Sequence, residues 1–316
     1  MACSKDTRSE CDVPMRKFLA LLLLLMTFET LSASAHPDAG LEAQLAALTA
    51  GYQGNVAIYA EDLHTGRTVA IDADTAVPTA STIKLTVLFE ALKQIQEGRK
   101  HWNDSLTLTK ANQVEGSGVL TLFDTPLTLT LKDALTMMIV VSDNTATNLA
   151  IDDLGLSNID ERIRWMGLSN TWLYKKVFMP PGPDVPADQP KFGLGKTTAR
   201  EMAMVMKRFA TCDLAAPGSS ELPSESDRAL CDTALDMLKN QTEREGIPRY
   251  LGDLTVASKG GAIDAARNDV GMVYAKNGPI VISVFTYDNK DQSWTPDNAG
   301  RLLIARISKA IVDAWQ

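Results

Sequence analysis

The chain has 316 residues, 45% hydrophobic and 22% charged, with a formal net charge of −8. That length holds a sizeable core, as one large domain or two lobes, and the balance is that of a globular protein. Excess acid without any basic stripe argues against nucleic acid or an anionic membrane surface as the main partner.

Residues 1–35 read as an export signal. Met15-Arg16-Lys17 is a charged start, Phe18 to Met26 an apolar core too short to span a bilayer, and Ala33-Ser34-Ala35 a cleavage site before His36. Residues 1–14 read as a polar extension upstream of a better start at Met15. No Cys follows the apolar core, so no lipid anchor is expected; the released chain would be a periplasmic or secreted monomer, free of the membrane. The segment carries four charges of each sign, so the remainder keeps −8. Cys3 and Cys11 leave with it. Cys212 and Cys231 remain, and an even pair in an oxidising compartment reads as a disulfide, two free thiols being the alternative. There is no CxxC or CxxH spacing, so neither a metal nor a cofactor is expected.

Leu41 to Leu48 predicts a short helix. Val56 to Ala60 and Thr68 to Ile71 flank His64-Thr65-Gly66 and predict a β-hairpin. From Ser81 the chain is apolar on almost every side (Ile83, Leu85, Val87, Leu88, Phe89, Ala91, Leu92, Ile95), which predicts a buried helix ending near Gly98. Thr130-x-x-Asp133 reads as a capping box opening a helix that ends at Ser142-Asp143-Asn144, and Ala146 to Leu154 as the next helix. Ser157-x-x-Asp160 opens another, stopped near Gly167. Pro180, Pro181, Pro183, Pro186 and Pro190 make Phe178 to Gly193 a stiff loop without regular structure. Helical pattern returns at Thr198 to Phe209 and near Ala229 to Asn240. Strand-like runs at Leu254–Lys259, Asp269–Ala275 and Ile280–Tyr287 precede a final helix around Asn298–Ala314. Strands at both ends around a helical middle predict one sheet built from both termini. The α/β lobe would take about 36–80 and 215–316, and an inserted helical lobe about 81–214.

Chemistry concentrates in Ser81-Thr82-Ile83-Lys84. Residues i and i+3 share a helical face, which places the Lys84 amine beside the Ser81 hydroxyl. Burial lowers a lysine pKa toward the range where the neutral amine takes a proton. Ser81 would stand at a helix N-terminus, where unpaired N–H groups favour developing negative charge. Together these describe an activated nucleophile. Two further pieces join it: Ser142-Asp143-Asn144, and Lys259-Gly260-Gly261, which closes the strand-like run before it.

S-x-x-K, then S-D-N, then a K-[ST]-G-like triplet, in this order, resembles class A β-lactamases and penicillin-binding proteins, with "STIKLTVL" and "SDNTATNLA" most like class A. The resemblance covers about Gly54 to the C-terminus. It implies an α/β (α+β) fold with a five-stranded antiparallel sheet flanked by helices, an all-helical lobe, and an active site in the cleft between. By resemblance Ser81 is the nucleophile, Lys84 its proton acceptor, and Ser142 passes a proton to the leaving nitrogen. Asn144 holds a substrate amide, Asp143 braces its own turn, and Lys259 supplies positive charge at the cleft wall. The N–H groups of Ser81 and Ala262 form an oxyanion hole, with Gly261 beside them on the substrate-binding strand. Arg267 reads either as a ligand for a substrate carboxylate or as an ordinary surface arginine.

Two departures stand out. Position 260 is Gly where the family carries Thr or Ser, so a hydroxyl for the substrate carboxylate is missing. Class A enzymes also carry a deacylating Glu in an E-x-x-L-N run; Leu173 to Pro181 here has no carboxylate, and only Asp184 and Asp188 lie further along. Other chemistries fit less well. A Ser-His-Asp triad would need His36, His64 or His101, with no G-x-S-x-G elbow, and Gly195-Lys196-Thr197 lacks the first glycine of a phosphate loop, Pro190 standing there. Three readings follow. One is a β-lactam-opening hydrolase with unusual deacylation. The others are a penicillin-binding-type peptidase or esterase acting on a peptidoglycan-like substrate, and a non-catalytic binding module.

Overall fold

The computed structural model describes residues 36–316; the expected export segment 1–35, with Cys3 and Cys11, lies outside the described residues. A two-residue strand, His36–Pro37 (β1), leads into helix α1, Ala39–Thr49, capped by Asp38, whose carboxylate accepts the Leu41 N–H at 3.0 Å. Strands β2 (Asn55–Asp62) and β3 (Arg67–Ile71) form the expected hairpin. Asp62 fastens its turn by accepting the N–H groups of His64 and Thr65. Next come β4 (Val77–Pro78), a 3₁₀ turn at Ala80–Ile83, and helix α2 (Lys84–Gln96). The helical middle contains α3 (Leu131–Val140), α4 (Asn144–Leu154) and α5 (Leu156–Trp165), after the β5 (Ser105–Leu108) and β6 (Leu127–Thr130) ladder. Strand β7 (Trp172–Leu173), helix α6 (Gln189–Phe192) and strand β8 (Gly195–Thr197) lead to α7 (Ala199–Thr211) and α8 (Glu225–Lys239). Three long strands, β9 (Val256–Ile263), β10 (Ala266–Ala275) and β11 (Gly278–Tyr287), precede the last helix, α9 (Ala299–Trp315).

The main sheet has the order β1-β3-β2-β11-β10-β9. Five strands are antiparallel neighbours, and β1 adds a sixth, parallel to β3. Two residues, one of them Pro37, carry no strand periodicity, so this edge was illegible in the sequence. The sheet is covered on both faces, which is why β11 reads as a nearly continuous apolar run, broken only by the buried Ser283 between Ile280 and Phe285. Ile280, Ile282 and Val284 of β11 face the core under α1 and α9. Val281 and Phe285 face the larger core shared with α2 and its neighbours. Helix α2 is buried on all sides from Lys84 to Gln94. It packs against α4, α5, α7 and α8, with Phe89 meeting Phe209 edge-on at 5.8 Å between ring centres. Gly98, at φ 70°, ends the segment as expected.

Local chemistry corrects several expected boundaries. Thr130 and Asp133 do form the reciprocal cap of α3. Ser157 does not cap α5: the helix starts one residue before it, after Gly155, and Asp160 instead accepts the Leu173 N–H at 3.0 Å. Helix α6 interrupts the proline-rich loop because Pro190 sits in its first turn, where a missing N–H costs nothing. Helix α8 begins earlier than its apolar pattern, at a capping box made by Ser224 and Asp227. The largest correction concerns β9, which does not close at Lys259-Gly260-Gly261 but runs through it to Ile263. Pairing with β10, Gly260 opposite Asp269 and Gly261 opposite Asn268, carries the strand across both glycines.

Cys212, ending α7, is bonded to Cys231 inside α8, with Cα atoms 5.6 Å apart across a sequence separation of 19. Closing a loop of that size constrains the unfolded chain. The double variant Cys212→Ser/Cys231→Ser should lose about 3 kcal/mol of unfolding free energy in urea titrations. An unchanged midpoint would show that the bond does not constrain the chain in solution.

Candidate active site

Ser81 stands on a turn held by the backbone of β8 on one side and by a side chain of β10 on another. Strand β4 pairs with β8, Val77 opposite Thr197, and the Thr79 N–H donates to Gly195 O at 2.9 Å. Asn268 of β10 donates to Pro78 O at 2.9 Å and Thr79 O at 3.2 Å. Gly195-Lys196-Thr197 is therefore a strand, and Gly195 lacks a side chain because a Cβ there would lie 2.6 Å from Trp172 O. Ala80 takes φ 44° to enter the 3₁₀ turn. Such a turn eclipses i and i+3, so Ser81 and Lys84 share a face even though the α-helix proper starts at Lys84.

The Lys84 side chain is fully buried. Its Nζ donates to Ser142 O at 2.7 Å, Ser142 Oγ at 3.1 Å and Asn144 Oδ1 at 3.1 Å. The amine thus reaches the S-D-N turn; among the described residues no hydrogen bond joins it to Ser81 Oγ. Burial holds its pKa well below that of a free lysine, and the nearby Lys259 pushes it the same way; Asp143 and Glu243 oppose them. Ser142 occupies the left-handed region at φ 56°, between α3 and α4. Asp143 braces this turn, accepting Ala146 N–H at 2.8 Å as the cap of α4 and the N–H groups of Val119 and Leu120. Asn144 also donates to Glu115 O at 3.1 Å.

Lys259 and Gly261 share the face of β9 turned toward α2. Lys259 is fully buried, donates to Gly260 O at 2.6 Å, and has its pKa lowered by burial, against the pull of Glu243 and Asp269. A Cβ on Gly261 would lie 2.9 Å from both Ser81 N and Thr79 O, so strand and turn meet backbone to backbone. A cavity of about 690 Å³ opens here, lined among others by Ser81, Ser142, Asn144, Gly261 and Ala262. Lys84 and Lys259 stand behind its wall.

Arg267 departs from both sequence readings. It is only 1% exposed and does not line this cavity. Alternation along β10 turns Asn268 toward the Ser81 turn and Arg267 toward the α9 side of the sheet. There the guanidinium donates to Ala266 O at 2.7 Å, Ser293 O at 2.6 Å and Ile263 O, and lies 4.7 Å from the Trp294 ring centre. It is a buried bracket.

Lys175, Val177 and Phe178 form another part of the cavity wall, held by Asn148, which donates to Val177 O and accepts its N–H. Asp184 and Asp188 do not reach it. Asp188 accepts the Tyr174 hydroxyl at 2.7 Å and the Lys196 amine at 2.6 Å. The carboxylates that line the cavity are Glu243 and Asp264, neither singled out from sequence. Glu243 arrives because the chain after α8 docks on the end of α3, Gln241 donating to Ile139 O and the Thr242 N–H to Val140 O. The sequence hint was the bare Gly260, since Glu243 Oε2 lies 2.7 Å from where its Cβ would be. Behind them Asp269 is wholly buried, accepts the Ile247 N–H at 2.8 Å, and is pushed by burial up to about 7.

Residues 40–315 match the family model described as the beta-lactamase enzyme family. A β-lactamase of Bacillus licheniformis is 27% identical over 272 residues, covering 83% of this chain and 80% of that protein. Beta-lactamase FAR-1 of Nocardia farcinica is 28% identical over 284 residues, covering 86% and 82%. The solved β-lactamase of Sphaerobacter thermophilus superposes with a TM-score of 0.73 at 28% identity, covering 87% of this chain and 96% of that one. A PBP-A variant, solved as an acyl-enzyme complex with penicillin G, superposes at 0.74 with 26% identity, covering 89% and 98%.

Two outcomes follow from this geometry. Gly261→Ala forces the strand away from the Ser81 turn; it should cost about 1–3 kcal/mol of stability and lower any Ser81 labelling rate at least about 10²-fold. Retention of the parent rate would show that the close approach is dispensable. Between 3.8 and about 7 the folded protein holds the Asp269 proton that the unfolded chain has released, so this group's contribution to stability falls as pH rises through that window. Asp269→Asn should therefore gain stability over the parent between pH 4 and 8 in urea unfolding; a constant difference would exclude Asp269 as the titrating group.

Proposed function

Because this chain belongs to the beta-lactamase enzyme family, we propose that it is a serine hydrolase opening the cyclic amide of β-lactams through a Ser81 acyl-enzyme. The observation that carries this reading is the union of three separate motifs at one cavity. Ser81 and Ser142 line it, the buried Lys84 amine joins Ser142 Oγ from behind, and Lys259 stands beside them. In this reading the cleft lies between the α/β part, about 36–80 and 215–316, and the helical part, about 81–214. Residues 1–35 deliver the chain to the periplasm or the exterior.

Ser81 Oγ attacks the carbonyl carbon and passes its proton to Lys84, whose burial lowers its pKa and so favours the neutral amine that accepts it. Ser142 Oγ, which accepts a hydrogen bond from Lys84 Nζ, hands its proton to the departing ring nitrogen and takes in return the one that Lys84 received from Ser81. The N–H groups of Ser81 and Ala262 receive the negative oxygen, a contribution of about 3 kcal/mol per donor. Asn144 has its oxygen on Lys84 and keeps one amide hydrogen for a substrate carbonyl. Gly261 makes room for the acyl group beside Ser81.

The second step is where we place the difference from class A enzymes. The loop carrying Lys175, Val177 and Phe178 brings no carboxylate to the cavity, and Asp184 and Asp188 lie elsewhere. A missing general base costs typically about 10²–10⁴-fold, so the acyl-enzyme should outlast its formation. Likeness to PBP-A as well as to β-lactamases favours the same second reading: a penicillin-binding-type peptidase or esterase with slow β-lactam turnover. Intact mass spectrometry with benzylpenicillin tests both. We expect a covalent adduct persisting for minutes or longer, and none in Ser81→Ala. A transient adduct would restore ordinary deacylation, and labelling that survives Ser81→Ala would remove Ser81 from its role.

A further inference from the structure

One end of the cavity is negative. Glu243 Oε2 fills the space that a side chain at Gly260 would take, 2.7 Å from the Cβ position. Its segment is fixed by three hydrogen bonds: Gln241 Nε2 to Ile139 O at 2.9 Å, Thr242 N to Val140 O at 3.0 Å, and Glu243 N to Gln241 Oε1 at 3.0 Å. The carboxylate itself has no hydrogen bond or ion pair among the described residues and faces the cavity. Two buried cations, Lys84 and Lys259, are close enough to feel this carboxylate, and Arg267 and Arg301 adjoin it in a small neighbouring cavity, but none of the four lines the main one. Lys84 is tied to Ser142 and Asn144, Lys259 to Gly260 O, and Arg267 to carbonyls on the α9 side. Lys175, on the loop with Val177 and Phe178, is the one cation among the described residues that line the cavity. Asp264, at the turn after β9, adds a second negative charge to the lining.

We propose that Glu243 sets the charge preference of this site, selecting acyl donors that carry a cationic group, an ammonium or guanidinium, beside Gly260 over those carrying a carboxylate there. The reason is elementary: a carboxylate brought beside Glu243 meets a like charge in a partly desolvated wall, whereas a cation meets an unpaired acceptor. The proposal rests on the Ser81 acyl-enzyme reading and names the substrate class within it.

The test compares benzylpenicillin with its 2-aminoethyl amide at the ring carboxylate, the neutral methyl amide serving as size control. In the parent protein the cationic amide should acylate Ser81 at least about tenfold faster than the free acid, with the neutral amide between. Glu243→Gln should bring the ratio to about one or below. Gly260→Ser, which pushes the flexible carboxylate aside without disturbing an extended backbone, should move it the same way. A parent that prefers the free acid, or a ratio unmoved in both variants, overturns the proposal. Calorimetric binding of the same compounds to Ser81→Ala reads the preference without chemistry. Tighter binding of the cation supports it; tighter binding of the acid, or no binding of either, overturns it. An absence of acylation in the parent would then count against the acyl-enzyme reading alone.

Discussion

A lysine with no solvent exposure organises the centre of this molecule. Lys84 begins the helix that the whole helical middle packs around, and its amine is a three-way donor to the turn joining α3 and α4. Leaving such a group unpaired would be severely destabilising, so the S-D-N turn and the Ser81 turn are held in one relative position by the need to satisfy it. The same burial lowers its pKa. Position and lowered pKa thus come from a single constraint, an amine with nowhere to hydrate.

The second constraint is steric. Gly261 lets β9 touch the Ser81 turn through main-chain atoms, and Gly195 does the same for Trp172 across β8. Asn268 then ties the start of that turn to β10. Backbone strain sits where these pieces meet, at Ala80 and Ser142, both with positive φ. Residues in that region persist when their surroundings over-determine them, and here the surroundings are the buried lysine and two strand backbones.

Much of the arrangement was legible in the chain alone, because it depends on local patterns. The all-round apolar character of α2, the capping box of α3, the hairpin at His64-Thr65-Gly66 and the three late strands follow from periodicity and turn chemistry. What escaped was short or paired at long range. Strands of two or three residues, such as β4, β7 and β8, have no period to detect and exist only through their partners. The run of β9 through two glycines needed β10 to hold it. Ser157 looked like a cap, yet the helix starts before it.

By itself, then, the sequence determined the family, the fold class and the motif residues around the cavity, because nucleophile, amine and turn are each carried by a few adjacent positions. Only the tertiary structure decided which charges face that cavity. A strand turns successive side chains to opposite faces, so one step along β10 sends Arg267 away under α9 while Asn268 reaches Pro78 and Thr79 at the start of the Ser81 turn. Glu243 is brought in by the docking of a loop on the end of α3, a contact between residues about a hundred positions apart. Periodicity cannot encode such a meeting; it is fixed when the two hydrogen-bonding partners fold against each other.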